Sequence, residues 1–258
     1  MMKYYKLGYR NHFKFVVRAD VGIGTVRSFY SPSRWWAKLA IRWRLYKLNI
    51  VRASDMVALD LTGEEAILIK GNDAENQKYV VYKDRLNIVR KWSFNPGGIA
   101  KIKNEINALL HLKNSEYPFG HSCLIDYALS DSYGFLDIEY IDAAYTVECS
   151  DDFVRDYFNL FIVKNKGNSS VVHGDLTPWN IIRSTSKTLI IDWEEYRIGN
   201  KYYDILHYYY SYYKLGKSNS KASSLELALR RIEGLGLPLE LSIMEKAIIE
   251  LKLAKKIW

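Results

Sequence analysis

A chain of 258 residues is long enough for one large domain or for two lobes with a packed core. Its composition, 48% hydrophobic and 26% charged, is ordinary for a soluble protein, and no segment approaches the run of about eighteen apolar residues that a membrane span requires. Cys123 and Cys149 have neither metal-site nor disulfide spacing, and the N-terminus lacks a signal-peptide core, so we expect a cytoplasmic protein.

The net charge of +8 comes from residues 1–50, which hold eleven lysines and arginines and one acid. There, Lys14 to Arg18 alternates like an exposed strand, and Ser31-Pro32-Ser33 predicts the start of a basic helix whose tryptophans share a face. Such a helix either packs that face on the protein or binds peripherally to the inner face of an anionic membrane. No nucleic-acid-binding motif accompanies the charge. We treat residues 1–60 as a basic aromatic N-terminal extension and leave both interpretations open.

Residues 61–141 have the pattern of a sheet with one helix. Short runs rich in β-forming residues predict strands at 66–70, 78–82, 87–92, 122–129 and 134–140. After a turn at 95–98, apolar residues recur at helical spacing, at Ile99, Ile102, Ile106, Leu109 and Leu110. These elements predict an N-terminal lobe built on an antiparallel sheet with one helix.

Residues 142–258 are predicted to form a mainly helical C-terminal lobe. Helical patterns cover the segments 151–163, 202–214, 224–234 and 239–256. The tyrosine run from Tyr208 to Tyr213 lies in the second of these helices, and we expect its rings to pack in the core, with sugar stacking as the alternative. The predicted fold class is therefore α+β and bilobal.

Two apolar runs, Val171–Val172 and Leu189–Ile191, each end in polar residues, as buried strands do at the edge of a cleft. The polar residues include Asp175, Asn180 five positions later, and Asp192 twelve positions after that. Two carboxylates and an amide oxygen are the hard ligands and the proton acceptor that chemistry on a magnesium nucleotide requires. Turn capping explains single Asp or Asn residues, but is a poorer explanation for three at this spacing.

The run His173-Gly174-Asp175, followed by Asn180 and Asp192, reproduces the spacing of the protein-kinase motifs H-R-D-x-x-x-x-N and D-F-G with different neighbours. This variant resembles the aminoglycoside phosphotransferase and choline kinase-like family, the small-molecule branch of the protein kinase-like superfamily. The resemblance is specific over residues 171–206 and weaker from about 62 to 143. It implies a bilobal protein kinase-like fold and an enzyme that uses ATP and Mg2+.

The resemblance also implies roles for the loop residues. Asp175 would orient the acceptor hydroxyl and accept its proton, while Asn180 and Asp192 would bind Mg2+. We assign His173 to shaping the catalytic loop, because the carboxylate of Asp175 is better placed as a base. Protein kinases carry a lysine two residues after the base, where this chain has Thr177. Another cation must then balance charge at the γ-phosphate, and we consider the basic N-terminal segment for this role.

For the nucleotide, the resemblance implies a lysine on the third strand of the sheet lobe. Lys91 fits the apolar-apolar-x-Lys pattern, but a register error of one residue would favour Arg90, because successive side chains point to opposite faces. Glu105, in the middle of the helix, is the expected ion-pair partner of Lys91, with a solvated glutamate as the alternative. The adenine would meet main-chain groups from about Glu139 to Ile141.

The acceptor is predicted to be a non-protein hydroxyl. The stretch from Asp192 to Asp204 is too short for an activation segment, which argues against a protein kinase. The stretch from Ile141 to His173 lacks the longer helical insertion of many small-molecule kinases, so we expect an open acceptor side suited to a sugar or to a surface-glycan or lipid-linked precursor. The alternative is a catalytically silent nucleotide-binding scaffold, docked through the N-terminal segment. The choice of ATP or GTP and the oligomeric state stay open.

Overall fold

The computed structural model describes residues 4–9, 12–18, 67–70, 75–141, 144–145, 149–164, 167, 169–183, 188–215 and 222–255. The chain forms two compact units, which we name the sheet unit, Met1–Ile106 with Ser122–Ala143, and the helical unit, Asn107–His121 with Ala144–Trp258. None of the helices in these described ranges has the length and apolar character needed to cross a membrane. The basic helix predicted after Ser31-Pro32-Ser33 lies outside the described residues.

The sheet unit is built on one seven-stranded antiparallel sheet, in the order β1-β2-β3-β4-β5-β7-β6. Its strands are β1 Tyr4–Tyr9, β2 His12–Arg18, β3 Ile67–Lys70, β4 Tyr79–Lys83, β5 Ile88–Ser93, β6 Leu124–Leu129 and β7 Gly134–Glu139. The five strands predicted from residue 66 onward are present, with bounds that differ by up to two residues.

The first two strands come from residues that we predicted as an N-terminal extension. β2 pairs with β3, with Phe15 opposite Ile69, so this part of the chain adds two strands to the sheet. The long interval between β2 and β3 in the sequence conceals this pairing, because strand periodicity identifies a strand but not its distant partner. The predicted domain boundaries at residues 60 and 141 remain a prediction.

Among the described residues of the sheet unit, one helix begins, α1, Pro96–Lys113. It starts where Asn95 accepts a hydrogen bond from the Gly97 N–H at 3.0 Å, and proline occupies the first helical position, where no N–H is needed. The predicted apolar stripe is buried at Ile102 and Ile106, with exposures of 0% and 2%. This stripe fixes the rotation of the helix and hence the direction of Glu105.

The described residues of the helical unit combine the end of α1, a 3-10 turn Pro178–Asn180 and further helical segments with short strands. The segments are α2 Asp151–Tyr157 with a following π-helical turn Phe158–Ile162, α3 Tyr203–Leu215, α4 Ser224–Gly234 and α5 Leu241–Lys255. The strands are β8 Ala144–Tyr145, β9 Ser169–Val172, β10 Ile181–Arg183, β11 Thr188–Ile190 and β12 Arg197–Asn200. They form two small sheets, β11-β10-β8 and β12-β9.

The first three tyrosines of the run pack in the core of the helical unit, as predicted, whereas Tyr212 and Tyr213 are half-buried. Tyr208 and Tyr209 on α3 are 1% and 0% exposed. The Tyr208 hydroxyl accepts the Ser150 N–H at 3.0 Å, and the Tyr209 hydroxyl donates to Asp151 at 2.7 Å. Buried phenol rings therefore have partners for their polar ends. With an antiparallel sheet in one unit and mainly helices in the other, the predicted bilobal α+β class is confirmed.

Candidate active site

The loop that follows β9 is held by its backbone. β9 pairs with β12, with Val172 opposite Arg197, and delivers His173 at its end. Gly174 has a φ of +82°, a conformation that only glycine adopts without strain. A Cβ on this residue would also collide with the Glu195 carbonyl oxygen. The sequence His-Gly-Asp therefore reflects a turn that brings Asp175 out of the strand.

One buried carboxylate fixes this turn. Asp204, at the start of α3 and 1% exposed, accepts hydrogen bonds from the N–H groups of His173 at 2.8 Å and Gly174 at 3.0 Å. The Tyr157 hydroxyl donates to the same carboxylate at 2.9 Å. Burial raises the pKa of Asp204, while His173 and these donors oppose the rise. The sequence pattern pointed to Asp204 but not to this structural role.

His173 links the loop to the segment that carries Asp192. Its Nδ1 accepts the Asp175 N–H at 3.2 Å, so its Nε2 carries the proton and donates to the Ile191 carbonyl at 2.8 Å. The ring is fully buried against Trp193, with centroids 4.6 Å apart. The Trp193 indole N–H in turn donates to the Ile190 carbonyl at 2.9 Å. Both ring nitrogens of His173 are thus occupied by main-chain groups.

Asn180 and Asp192 lie at the same end of the β10–β11 pair. The register puts Ile181 opposite Ile190, and the Ile191 N–H donates to the Asn180 carbonyl at 3.0 Å. The Asn180 side-chain Nδ2 donates to the Asp175 carbonyl at 2.9 Å, so its Oδ1 is the atom left to act as a ligand. Asp192 has a φ of 67°, in the left-handed region that Asp tolerates better than most residues. An amide oxygen and a carboxylate fit Mg2+, which commonly takes its other ligands from phosphates and water.

Asp175 has two neighbours that the sequence did not reveal. Its Oδ1 lies 3.4 Å from His207 Nε2 and 3.4 Å from Lys255 Nζ. The carboxylate is 38% exposed, and burial raises its pKa while Lys255 opposes that rise. Burial, followed by the charge of Lys255, lowers the pKa of His207 to about 3. The ring is therefore neutral, and its Nδ1 faces the Leu176 carbonyl at 3.0 Å.

In the sheet unit, Lys91 and Glu105 form a buried ion pair. Lys91 Nζ lies 2.7 and 2.9 Å from the two Glu105 oxygens, and the residues are 7% and 2% exposed. Arg90 instead pairs with Asp137, with two contacts of 2.6 Å. The two cations diverge because successive residues of β5 point to opposite faces of the sheet. The structure thus brings together the two residues predicted to pair.

The predicted adenine-contact segment ends β7. The Glu139 N–H donates to the Cys123 carbonyl at 3.0 Å, and the Tyr140 N–H donates to the Asn87 carbonyl at 3.0 Å. Both donors are therefore used within the sheet unit. Any ligand donor from this segment would come from the next residue, Ile141.

A buried lysine–glutamate pair in one unit, and a tightly held loop with an Asp, an Asn and a second Asp in the other, are the features of kinase-like phosphotransferases. The model of the phosphotransferase enzyme family matches residues 127–219, which include the whole segment from His173 to Asp192. This match confirms the predicted resemblance to that family and the predicted class of enzyme, a phosphotransferase. The comparison with curated proteins found no match.

Solved structures similar to this chain include small-molecule kinases. The aminoglycoside phosphotransferase APH(3'')-Id from Streptomyces rimosus, in complex with ADP and streptomycin, is 11% identical with a TM-score of 0.45, over 66% of this chain and 87% of that chain. The amicoumacin kinase hAmiN, with AMP-PNP, Ca2+ and Ami, is 12% identical with a TM-score of 0.44, over 80% and 86%. A putative fructosamine-3-kinase from Haemophilus somnus is 14% identical with a TM-score of 0.40, over 70% and 80%.

Proposed function

We propose that the protein is an ATP-dependent kinase that transfers the γ-phosphoryl group to a hydroxyl of a non-protein acceptor. The observation that carries the proposal is the loop from His173 to Asp192, in which Asp204 and His173 hold the backbone around Asp175. Phosphoryl transfer proceeds through a loose transition state, so a rigid loop that positions groups and charge is what its catalysis requires.

Asp175 acts as the general base. Its carboxylate is partly exposed, so an acceptor hydroxyl can reach it, and its raised pKa favours proton uptake. As the acceptor oxygen bonds to the γ-phosphorus, its proton passes to Asp175, and the bond from phosphorus to the β–γ bridging oxygen breaks. The bond electrons leave with that oxygen, giving ADP and the phosphorylated acceptor. His173 positions the loop and takes no proton, because both its nitrogens are engaged.

Asn180 Oδ1 and the Asp192 carboxylate would hold the Mg2+ ion. When bound, this ion neutralises charge on the nucleotide phosphates. The Asn180 amide is oriented by its bond to the Asp175 carbonyl, which couples the metal ligand to the base through one hydrogen bond. Asn180 would therefore hold the loop through its Nδ2 and bind the metal through its Oδ1.

Lys91 binds the α- and β-phosphates of ATP, and Glu105 fixes its ammonium group. The buried pair at 2.7 Å supports this assignment over Arg90, whose guanidinium is held by Asp137. For the adenine, the used donors of Glu139 and Tyr140 favour contacts by the Glu139 carbonyl and the Ile141 N–H.

For the acceptor we favour a sugar or a surface-glycan or lipid-linked precursor over a protein. Residues 197–200, which follow Asp192 closely, form β12 and pair with β9, so this stretch belongs to the fold and cannot serve as an activation segment. Between Ile141 and His173, α2 and its π-helical turn are the only helical segments among the described residues, which supports an open acceptor side. Contact with an anionic membrane through residues 1–50 remains part of the proposal; within this segment the structure describes residues 4–9 and 12–18.

The test is Mg-dependent ATP turnover against a panel of sugars, aminoglycosides, choline-like amines and a crude glycolipid extract. Wild type is compared with Asp175→Asn and Asp192→Ala, and with Asp156→Asn, an exposed carboxylate on α2, as the matched control. We expect turnover to fall by about 10²-fold or more in the first two variants and to persist in the control. Mg-ATP binding without turnover on any acceptor would contradict the proposal and favour the silent scaffold.

A further inference from the structure

The proposed transfer needs a positive charge near the phosphoryl group, and residues 173–180, which carry Asp175 and Asn180, contain no lysine or arginine. Two residues after the base, where protein kinases carry a lysine, stands Thr177, which is 1% exposed. A loose transition state leaves negative charge on the transferred group, and preorganised cations are the usual means of stabilising it. The inference below rests on the proposed function and concerns which residue provides this charge.

The last turn of α5 brings Lys255 to the loop. Residues Ile243, Ala247 and Leu251 are buried at 3%, 0% and 0% exposure, four positions apart on one face of the helix. Lys255 is the next position on that face, so a lysine stands where the pattern would place another core residue. Its Nζ lies 3.4 Å from Asp175 Oδ1, and its side chain is 29% exposed.

The position of α5 is fixed by contacts from β12 and the residue that follows it. Arg197 pairs with Glu250 at 2.7 Å, the Asn200 side chain donates to the Ile243 carbonyl at 2.8 Å, and Lys201 lies 3.2 Å from Glu240. Because β12 also pairs with β9, the strand that leads into the catalytic loop, the same strand sets the position of both. The fold therefore holds Lys255 beside Asp175, and Lys255 is not a freely solvated lysine at a helix end.

We propose that Lys255 is the catalytic cation of this site: its ammonium group, placed beside Asp175, binds an oxygen of the γ-phosphoryl group as that group passes to the acceptor. This replaces our expectation that the basic N-terminal segment supplies the charge. His207, the other neighbour of Asp175, is neutral and contributes no positive charge. A lysine in the last helical turn is also favourable for the helix dipole, but that role needs no contact with the base.

The experiment compares Lys255→Met and Lys255→Ala with Lys252→Met, an exposed lysine on the same helix, as the matched control. The probe reaction uses the acceptor found in the panel or, failing that, hydrolysis of Mg-ATP by water. We expect kcat to fall by about 10²-fold in both Lys255 variants, with KM for ATP nearly unchanged and the control unaffected. Adding ethylammonium chloride should restore part of the lost kcat in Lys255→Ala but not in Asp175→Asn.

Each outcome decides the question. If the Lys255 variants turn over as fast as Lys252→Met, the inference is wrong while the proposed function stands. If Lys255→Ala loses activity without rescue and melts at a lower temperature, Lys255 is only a structural contact of α5, which also overturns the inference. If the wild type has no turnover with any acceptor or with water, the proposed function fails first.

Discussion

Each unit contains a buried site with a charged side chain, and the partners of these charges differ between the two units. In the sheet unit, Lys91 faces Glu105 and Arg90 faces Asp137, so each of these cations lies against a carboxylate. In the helical unit, the Asp204 carboxylate is met by neutral donors, two of which are backbone N–H groups. A side-chain partner can be mutated together with its charge, whereas backbone donors remain after any substitution. The comparison teaches that Lys91 and Glu105 can be exchanged as a pair, whereas Asp204 cannot be exchanged together with its backbone donors.

The strongest test of this comparison is removal of the Asp204 carboxylate. Asp204→Ala leaves the N–H groups of His173 and Gly174 and the Tyr157 hydroxyl buried without their acceptor. At about 1–3 kcal/mol for each of the three unsatisfied groups, we expect the free energy of unfolding to fall by about 3–9 kcal/mol, and turnover to be lost as the loop moves. Urea unfolding and turnover of the variant measure both effects.

Asp204→Asn keeps one acceptor oxygen and tests the same point if the alanine variant does not fold. We expect the unfolding free energy of Asp204→Asn to lie between those of wild type and Asp204→Ala, because the amide nitrogen of the asparagine now faces one of the N–H donors. Asp156→Asn is the control for loss of an exposed carboxylate. Equal stability of Asp204→Ala and wild type would show that water replaces the carboxylate and that the loop does not depend on it.

The second test exchanges the buried pair of the sheet unit. Glu105→Leu leaves the Lys91 ammonium buried without its partner, and Lys91→Met leaves the Glu105 carboxylate in the same state, so we expect each to cost about 3 kcal/mol or more of unfolding free energy. The double variant should be more stable than either single variant, because no buried charge remains. Urea unfolding of the four proteins gives the coupling energy.

The same cycle separates stability from function. All three variants should lose affinity for Mg-ATP, measured by calorimetry, because the phosphate-binding ammonium is absent or no longer held in place. If the two single substitutions are additive in stability, the pair is open to water, and the contrast with Asp204 disappears.

These two regions also differ in how far the sequence predicts them. The pairing of Lys91 with Glu105 was expected from the family resemblance, and strand alternation, a local pattern, limited the cation to Lys91 or Arg90. The segment from His173 to Asp192 is likewise continuous in the chain, so its spacing is visible without a structure. Local patterns were sufficient wherever the interacting groups lie on one segment or on neighbouring elements.

The neighbours of Asp175 could not be predicted in this way. Lys255 is 80 residues away along the chain, and only the packing of α5 against the unit brings it to the carboxylate. The signal available in the sequence was a lysine that continues the apolar stripe Ile243, Ala247 and Leu251, which marks a cation directed toward the protein. The pairing of β2 with β3 was missed for the same reason, since it joins segments that are remote in sequence.

The smallest expected effect concerns His207, whose neutral ring depends on burial. Its pKa is lowered from 6.5 to about 3, so as the pH falls below about 6.5 the unfolded chain binds a proton that the folded protein does not. The stability that depends on the neutral ring is full above about pH 6.5 and is lost progressively toward pH 3. Between pH 7 and pH 5 we expect wild type to lose about 2 kcal/mol of unfolding free energy that His207→Gln retains.

Burial raises the pKa values of Asp175 and Asp204, which acts in the opposite direction. Both proteins share those carboxylates, so the difference in pH dependence between wild type and His207→Gln isolates the histidine. Urea unfolding at both pH values measures it, and equal pH dependence in the two proteins would mean that folding does not lower the pKa of His207.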